Sequence, residues 1–470
     1  MSRQTTSLHR VLLALAIAVV LSGCMPAHRP VPQSSEVGMP ADWSEKLAAA
    51  GVIDTSWWLG FGDPALVSLV STALANNTDI LAAAARVEEA RALSEIAGAA
   101  HLPTLDAAVG LQAGRSLGAT GVATSRTGTP ELRASWEVDL WGRLRQLAEA
   151  SELRYQATRV EREAVALAVS AETVQAYIAL LALDAQLDVT KATAESRAEA
   201  LRLAVDQAGV GYISQLQLTQ AQSEHETVLQ AIPELELAIR RQENALRLLT
   251  GGVPGAVARE RRFQDLKPIP IPSTLPSSLL TRRPDIVQAE RLLSASDAIL
   301  DARRAEFLPQ VSLSASVGRL FTNGLNYDPV SIWGLGGSIL APIFSAGRLT
   351  AQVDAATASR DQAAYAYRAA VLGALNEVEG ALSGVNRLRA QMEHAQKRIT
   401  ILERSLYYAR DRYQAGYASY LEVLDAQRNL YQTQLDAIVL RRTQFNNLVS
   451  LYRSLGGGWD AHMLDDAAAE

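Results

Sequence analysis

The sequence predicts a chain of the α plus transmembrane β class, in which one structural unit occurs twice and supplies four strands in all. Three observations predict it: a repeat with a period of about 205 residues, strand segments with one apolar and one polar face, and helical stretches of more than 60 residues. Each half is therefore expected to carry two strands and several long helices in the same order.

The repeat is visible as residue pairs that recur at nearly constant spacing. The pairs lie 205 or 206 residues apart and include Leu102-Pro103 with Leu308-Pro309, Gly142-Arg143 with Gly347-Arg348, and Gly211-Tyr212 with Gly416-Tyr417. A stretch rich in proline separates the two halves and predicts a connector. The predicted organisation is a first repeat at 63–250, a connector at 251–283, a second repeat at 284–456 and a tail at 457–470.

The elements of each repeat follow from helix-breaking residues and from period-two alternation. The first repeat is predicted to contain a helix at 64–101, strands at 104–115 and 130–141, a long helix at 143–208 and a helix at 212–249. The corresponding second-repeat elements are a helix at 284–307, strands at 310–320 and 331–343, a long helix at 348–415 and a helix at 417–455. The segment 116–129 is predicted to be a loop, and Pro233 is expected to kink or break its helix.

The clearest strand signal lies between Pro130 and Trp141. Charged residues there alternate with apolar ones, which places one polar and one apolar face on the strand. Such a strand either packs its apolar face on a dry core or turns it to lipid while the polar face lines a water-filled barrel. The second interpretation makes four residues pore-lining: Glu131, Arg133, Glu137 and Asp139.

Four strands cannot close into a barrel, and unpaired strand edges are not tolerated in hydrocarbon. A membrane location therefore requires several copies of the chain. Two, three or four copies would supply 8, 12 or 16 strands, and the residues alone leave these numbers open.

The first 23 residues have the features of a secretory signal peptide: two arginines, an apolar run of about a dozen residues and a small-residue end. The only cysteine, Cys24, follows Leu21-Ser22-Gly23, and this segment resembles the bacterial lipobox. That resemblance implies removal of residues 1–23, acylation of Cys24 with palmitate among its chains, and an acylated N-terminal segment at 24–62. Outer-membrane lipid is then a partner of the chain.

Composition and motifs argue against several other classes. With 44 basic and 50 acidic residues, the chain has no excess of positive charge, so a nucleic-acid partner is not expected. The six histidines show no metal-ligand spacing, and no phosphate loop, dinucleotide fingerprint or nucleophile elbow occurs. The prediction is a protein that is not an enzyme, with no cofactor, no metal and no catalytic residues.

Three motifs resemble one protein family. They are the segment from Arg412 to Gln427, the segment from Trp136 to Arg143, and Arg282-Arg283-Pro284-Asp285-Ile286. Together with the lipobox they are similar to TolC/OprM-type outer-membrane efflux proteins, within the lipoprotein or NodT-like branch. The resemblance implies a homotrimer with one 12-stranded β-barrel, continuous with a long periplasmic α-helical barrel.

The same resemblance implies a function and its partners. The chain would be the outer-membrane exit duct of a tripartite efflux system, passively conducting small toxic compounds or drugs. It would receive them from a periplasmic adaptor protein and an inner-membrane RND-type pump. Two alternatives remain open: a duct for protein secretion of type I, and a lipid-anchored structural coiled-coil protein with no pore.

Residue roles carried over by the resemblance lie at the turns between long and short helices. The turn residues expected to contact the adaptor are Gly211, Ser214, Leu216, Gly416, Ser419 and Leu421. An acidic ring at the periplasmic gate is assigned to Glu422 and Asp425, whereas the first repeat has Gln217 and Gln220 there. Ala418 occupies the position where some relatives have a latching arginine.

Overall fold

The computed structural model describes residues 29–45, 54–118, 121–271, 276–323 and 329–461. The predicted signal peptide and Cys24 lie outside these residues. By internal contacts the chain divides into two compact units. We call the first the sheet unit, formed by the described parts of Met1–Glu36, Arg86–Arg159 and Gln288–Ala369. The second, the turn unit, comprises the described parts of Val37–Ala85, Val160–Val287 and Ala370–Glu470.

The element order repeats along the chain. The first half contains α1 Pro64–Asn76, α2 Thr78–Ala99, β1 Thr104–Gly118, β2 Gly121–Val138, α3 Arg143–Gly209 and α4 Gln215–Leu249. The second half contains α5 Leu279–Arg282, α6 Pro284–Ala305, β3 Gln310–Thr322, β4 Val330–Leu340, α7 Arg348–Gln414 and α8 Tyr420–Ser454. Helices α3 and α7 both have 67 residues, and α4 and α8 both have 35. Equal lengths in equal order are what a duplicated unit requires.

The four strands form one antiparallel sheet in the order β1-β2-β3-β4. The loop predicted at 116–129 was wrong, because β1 and β2 remain paired up to Gly118 and Gly121. Small Ser, Thr and Gly residues alternate there without a helical period, and a strand needs only an extended backbone and a paired neighbour. Apolar residues are too few there to give the regular alternation that marks a strand.

The helix predicted at 64–101 is two helices. Asn77 adopts an extended backbone between them, with φ −64° and ψ 130°. Its side-chain oxygen accepts hydrogen bonds from the amides of Asp79 at 2.9 Å and Ile80 at 3.3 Å, so Asn77 caps the start of α2. By contrast, α4 continues through Pro233 without interruption.

Two helical stretches are apolar and long enough to cross a membrane by composition alone: Pro64–Ala99 and Arg143–Gly209. In α3, half of the most apolar 18-residue segment is buried within the protein, as is usual for a helix in a protein core. In Pro64–Ala99 the corresponding share is 28%.

The core of the sheet unit includes a cluster where α6 and α7 pack together. Leu300 meets Val353 and Ala356, with Phe307 against them. In the turn unit an aromatic cluster packs around Phe445. The centre of its ring lies 6.0 Å from the ring centres of both Phe61 and Phe263. These cores hold the helices that carry the strands and the turns.

Candidate functional site: strand lining and helix turns

The strand register sorts the sheet side chains into two faces. On one face, a row across the four strands consists of Asp106, Arg133, Ser316 and Gly334. On the other face, a row consists of Ala107, Leu132, Val317 and Trp333. Val317 is 57% exposed and Trp333 is 81% exposed, so the apolar face packs on no core within the described chain. We call these the polar face and the apolar face of the sheet.

Charged groups on the polar face are paired with each other. Arg133 donates a hydrogen bond to Glu131 on the same strand. Just beyond the strand, Arg143 binds both oxygens of the Glu137 carboxylate, with its Nη2 at 2.7 and 2.8 Å. Such two-point contacts fix the carboxylate in position. Three of the four predicted pore-lining residues, Glu131, Arg133 and Glu137, therefore lie together on this face.

Asp139 does not belong to the strand, which ends at Val138. Its two carboxylate oxygens accept hydrogen bonds from the backbone amides of Leu144 at 3.1 Å and Arg145 at 2.9 Å. A carboxylate at the start of a helix satisfies amides that have no partner in the helix and opposes the helix dipole. The alternation that predicted a lining role is thus interrupted at Asp139, which holds the first turn of α3.

The two helix turns have the same backbone. Gly211 follows α3 with φ 74°, and Gly416 follows α7 with φ 77°. In both turns the next residue closes the helix end: Tyr212 N donates to Gln207 O at 2.8 Å, and Tyr417 N donates to Arg412 O at 2.9 Å. Glycine is needed because a positive φ is strained for other residues.

The caps of the two following helices differ. Ser214 Oγ accepts from the amide of Gln217 at 3.2 Å, and the Gln217 side chain accepts from the Ser214 amide at 3.0 Å. This is a complete capping box for α4. Ser419 is the cap residue of α8, but its side chain makes no capping hydrogen bond. The remaining predicted turn residues, Leu216 and Leu421, are 66% and 53% exposed.

A small core lies beneath both turns. It contains Ala204, Ala221, Tyr420, Val423 and Leu424, all buried. Tyr413 packs against it, with its ring 5.5 Å from that of Tyr420 and its hydroxyl donating to Gln207 Oε1 at 3.0 Å. The two turns are therefore joined into one structure.

Glu422 and Asp425 lie on the exposed face of α8, as their spacing of three predicts. Glu422 forms an ion pair with Arg412, with 3.4 Å between Oε2 and Nη1. Asp425 accepts a hydrogen bond from the Asn429 side chain at 3.1 Å. Both acids border a groove of about 560 Å³ between α7 and α8. Arg412 was not predicted as the partner of Glu422, because it lies ten residues upstream, across the turn.

A second charged cluster in the turn unit was not predicted. Glu224 of α4 accepts from Arg197 Nη1 of α3 at 2.7 Å and from Arg428 Nε of α8 at 2.8 Å. The side chains of Arg197 and Glu224 are only 5% and 10% exposed. Burial alone would raise the pKa of Glu224, but the hydrogen bond from Arg428 and the charge of Arg197 outweigh it and lower that pKa.

An antiparallel sheet with exposed apolar residues on one face, joined in sequence to paired helices of 67 residues, defines a class of membrane-embedded channel proteins with long helical extensions. Comparison with known families agrees. The outer membrane efflux protein family matches residues 69–252 and 275–457, in two segments that correspond to the two repeats. The chain belongs to this family.

Relatives and solved structures cover almost the whole chain. The pyoverdine export outer membrane protein OpmQ of Pseudomonas aeruginosa is 34% identical over 464 residues, covering 96% of this chain and 97% of its own. The cation efflux system protein CusC of Escherichia coli is 32% identical and covers 95% and 98%. The crystal structure of the Campylobacter jejuni CmeC outer membrane channel has a TM-score of 0.84 at 25% identity, covering 94% and 96%.

These findings confirm the predicted family, the fold class and the outer-membrane location. They also confirm the general function, an outer-membrane efflux channel of a tripartite system with an adaptor and an inner-membrane pump as partners. The secretion duct and the structural protein without a pore are not favoured. The family consists of channel proteins and not of enzymes.

Proposed function

We propose that three copies of this chain form one passive duct that conducts small toxic compounds or drugs out of the cell, with no catalytic activity of its own. The observation that carries this proposal is the sheet with one polar and one exposed apolar face. Among the described residues, its outer strands, β1 and β4, each pair with one neighbouring strand. Three sheets joined edge to edge would give a closed barrel of twelve strands, wide enough for a water-filled lumen.

The cargo of the relatives supports a general duct. The names of similar proteins refer to pyoverdine for OpmQ, to cations for CusC and to toluene for TtgF of Pseudomonas putida. These relatives are 31–34% identical to this chain, yet the named compounds differ in size, charge and polarity. Selection of the cargo is therefore assigned to the RND-type pump, and the duct supplies the exit.

At the entrance, Glu422 and Asp425 would form the acidic ring, with six carboxylates in a trimer. Such a ring favours cations and repels anions at a narrow mouth. Arg412 neutralises part of this charge through its ion pair with Glu422. Asp425 accepts a hydrogen bond from the neutral side chain of Asn429 and would contribute the larger part of the negative field.

The exposed residues of the two turns are proposed to contact the adaptor. Gly211 and Gly416 shape the turns, Ser214 and Ser419 start the following helices, and Leu216 and Leu421 present exposed apolar side chains. An apolar side chain that is half exposed or more at a helix end is available for a partner helix.

The proposed lipid anchor is Cys24. Arg29, five residues later, is held because its carbonyl accepts from Arg360 Nη1 at 2.7 Å, and the Arg360 side chain is fully buried. Replacing Cys24 by Ser should abolish labelling with palmitate; continued labelling would refute acylation at this residue.

Native mass in mild detergent, combined with single-channel recording in planar bilayers, tests the proposed function. We expect a trimer that conducts ions. A monomer with no conductance would contradict the duct.

A further inference from the structure

The apolar face of the sheet carries three arginines near the end where the β1–β2 hairpin lies. In the barrel the apolar face meets lipid, and Arg115, Arg126 and Arg319 lie on that same face, as their strand partners Thr124, Ala113 and Ser331 show. All three side chains are exposed. Arg133 on the polar face is paired with Glu131, and Arg143 just beyond the strand is paired with Glu137. The arginines on the apolar face therefore need a different explanation.

No acidic residue lies on the apolar face of the described strands. The acids of these strands, Asp106, Glu131 and Glu137, all belong to the polar face. Arg115 lies opposite Thr124, so Arg126 is its diagonal neighbour, at about 7–8 Å between Cα atoms. This backbone spacing lets both guanidinium groups reach one anion placed between them, which would offset the repulsion between their charges.

The height of these arginines matches the border of the membrane. A strand that rises about 3.3 Å per residue and tilts by about 40° gains about 2.5 Å per residue along the membrane normal. Val138 is the last residue of β2, next to the helices. Arg126 lies twelve residues before it and is therefore about 30 Å farther along the membrane normal. This height exceeds the apolar band of about 25 Å that surrounds such a barrel. The side is extracellular, because the helices leave the opposite end of the sheet into the periplasm.

An aromatic side chain lies at the same border. Phe321 is on the apolar face opposite Gly128, two residues along β2 from Arg126 and just above the row of Arg319, and it is 40% exposed. Aromatic residues are typical of the interface between hydrocarbon and headgroups. Arg319 can extend its side chain from this level toward the headgroups, while Arg115 and Arg126 lie within them.

We propose that Arg115 and Arg126, assisted by Arg319, bind the phosphate groups of a phosphorylated glycolipid in the outer leaflet. Arginine suits this ligand because its planar guanidinium binds phosphate oxygens in pairs and is weakly hydrated. The outer leaflet of the bacterial outer membrane contains such a lipid, the phosphorylated lipid A of lipopolysaccharide. The site would be present in each copy of the chain and would fix the barrel in its lipid surroundings.

The test uses the full-length protein, purified in mild detergent and titrated with lipid A while native mass spectrometry counts bound lipid. We expect the parent to bind lipid A with both phosphates at least ten-fold more tightly than lipid A from which both phosphates have been removed. In the double variant Arg115→Gln/Arg126→Gln this preference should disappear, and in Arg319→Gln it should fall about three-fold. Equal binding of the two lipids by the parent would overturn the proposal.

The matched control is Arg133→Gln, which removes an arginine of the same strand from the polar face and should leave the lipid preference unchanged. Loss of the preference in Arg133→Gln, or its retention in the double variant, would overturn the assignment. If the double variant fails to assemble, the single variants carry the test, each with an expected loss of about three-fold.

A competition experiment distinguishes lipid from free phosphate. Inorganic phosphate in ten-fold excess over lipid A should leave the lipid bound, because a free anion gains nothing from the acyl chains. Displacement of the lipid by that excess would assign the arginines to soluble phosphate and contradict a lipid site.

Discussion

The two helix turns share one backbone but differ in charge and in capping. Both turns contain a glycine at a positive φ of nearly the same value, and both end helices of 67 residues. The first turn leads into a neutral capping box, whereas the second leads into Glu422 and Asp425 with Arg412 beside them. The two copies have thus kept the backbone geometry of the turn, which needs a glycine at positive φ, while the exposed side chains that follow the turn have diverged.

Besides the core beneath the turns, a buried acid ties the two halves together. Glu224 belongs to the first repeat, and its partner Arg428 belongs to the second. Any change that separates the repeats in the turn unit has to break this contact.

The largest expected effect is that of Glu224→Leu. It leaves the buried guanidinium of Arg197 without its counter-charge, and removing one partner of a buried ion pair typically costs 3–5 kcal/mol. Because Arg428 is half exposed, we expect about 3 kcal/mol, measured as a loss of unfolding free energy in denaturant. The matched control is Glu226→Leu, two residues away and exposed, which should cost less than about 0.5 kcal/mol. Equal losses would show that the cluster does not stabilise the turn unit.

The same cluster predicts a dependence on pH. The fold lowers the pKa of Glu224 below its ordinary value of 4.5, so the ionised form is the one that stabilises the native state. This contribution is complete above that ordinary value and is lost as the pH falls through the lower native pKa. Stability measured between pH 6 and pH 3 should therefore fall more steeply for the parent than for Glu224→Gln. Parallel curves would contradict the pairing.

The shared backbone is tested by alanine at each glycine. Gly211→Ala and Gly416→Ala should each destabilise by about 1 kcal/mol, because alanine is strained at positive φ. An added Cβ would meet nothing within 4 Å at either position, so strain alone is measured. Gly373→Ala within α7, where there is equally free space, should instead stabilise by about 0.5–1 kcal/mol. A marked difference between Gly211→Ala and Gly416→Ala would mean that the turns are not equivalent.

The difference between the caps predicts the smallest effect. Ser214→Ala removes the hydroxyl that accepts from the Gln217 amide, at a cost of about 1 kcal/mol, and leaves the bond from the Ser214 backbone amide to the Gln217 side chain in place. Ser419→Ala removes no capping hydrogen bond and should cost only a few tenths of a kcal/mol. Thermal unfolding of the two variants under the same conditions measures the difference, and equal costs would remove the distinction between the turns.

The sequence was sufficient for those features that backbone sterics and periodicity determine. The repeat, the turn glycines and the polar face of β2 were all predicted from local patterns, because positive φ and period-two alternation leave direct traces in the residues. The Arg197–Glu224–Arg428 cluster was not predicted, since its members come from three helices and their pairing exists only after packing. The capping contacts of Asp139 were not predicted, because an acid that caps a helix and an acid that lines a strand look alike when they are two residues apart in an alternating run.

The central claim is that the polar face of the sheet lines a water-filled channel and the apolar face meets lipid. Ser135 and Ala134 are neighbours on β2 and lie on opposite faces, and the chain has no cysteine besides Cys24. With a charged, membrane-impermeant thiol reagent in planar bilayers, Ser135→Cys should react and reduce the single-channel current in steps, whereas Ala134→Cys should remain unmodified. Modification of Ala134→Cys with Ser135→Cys protected, or equal reaction of both, would contradict the account.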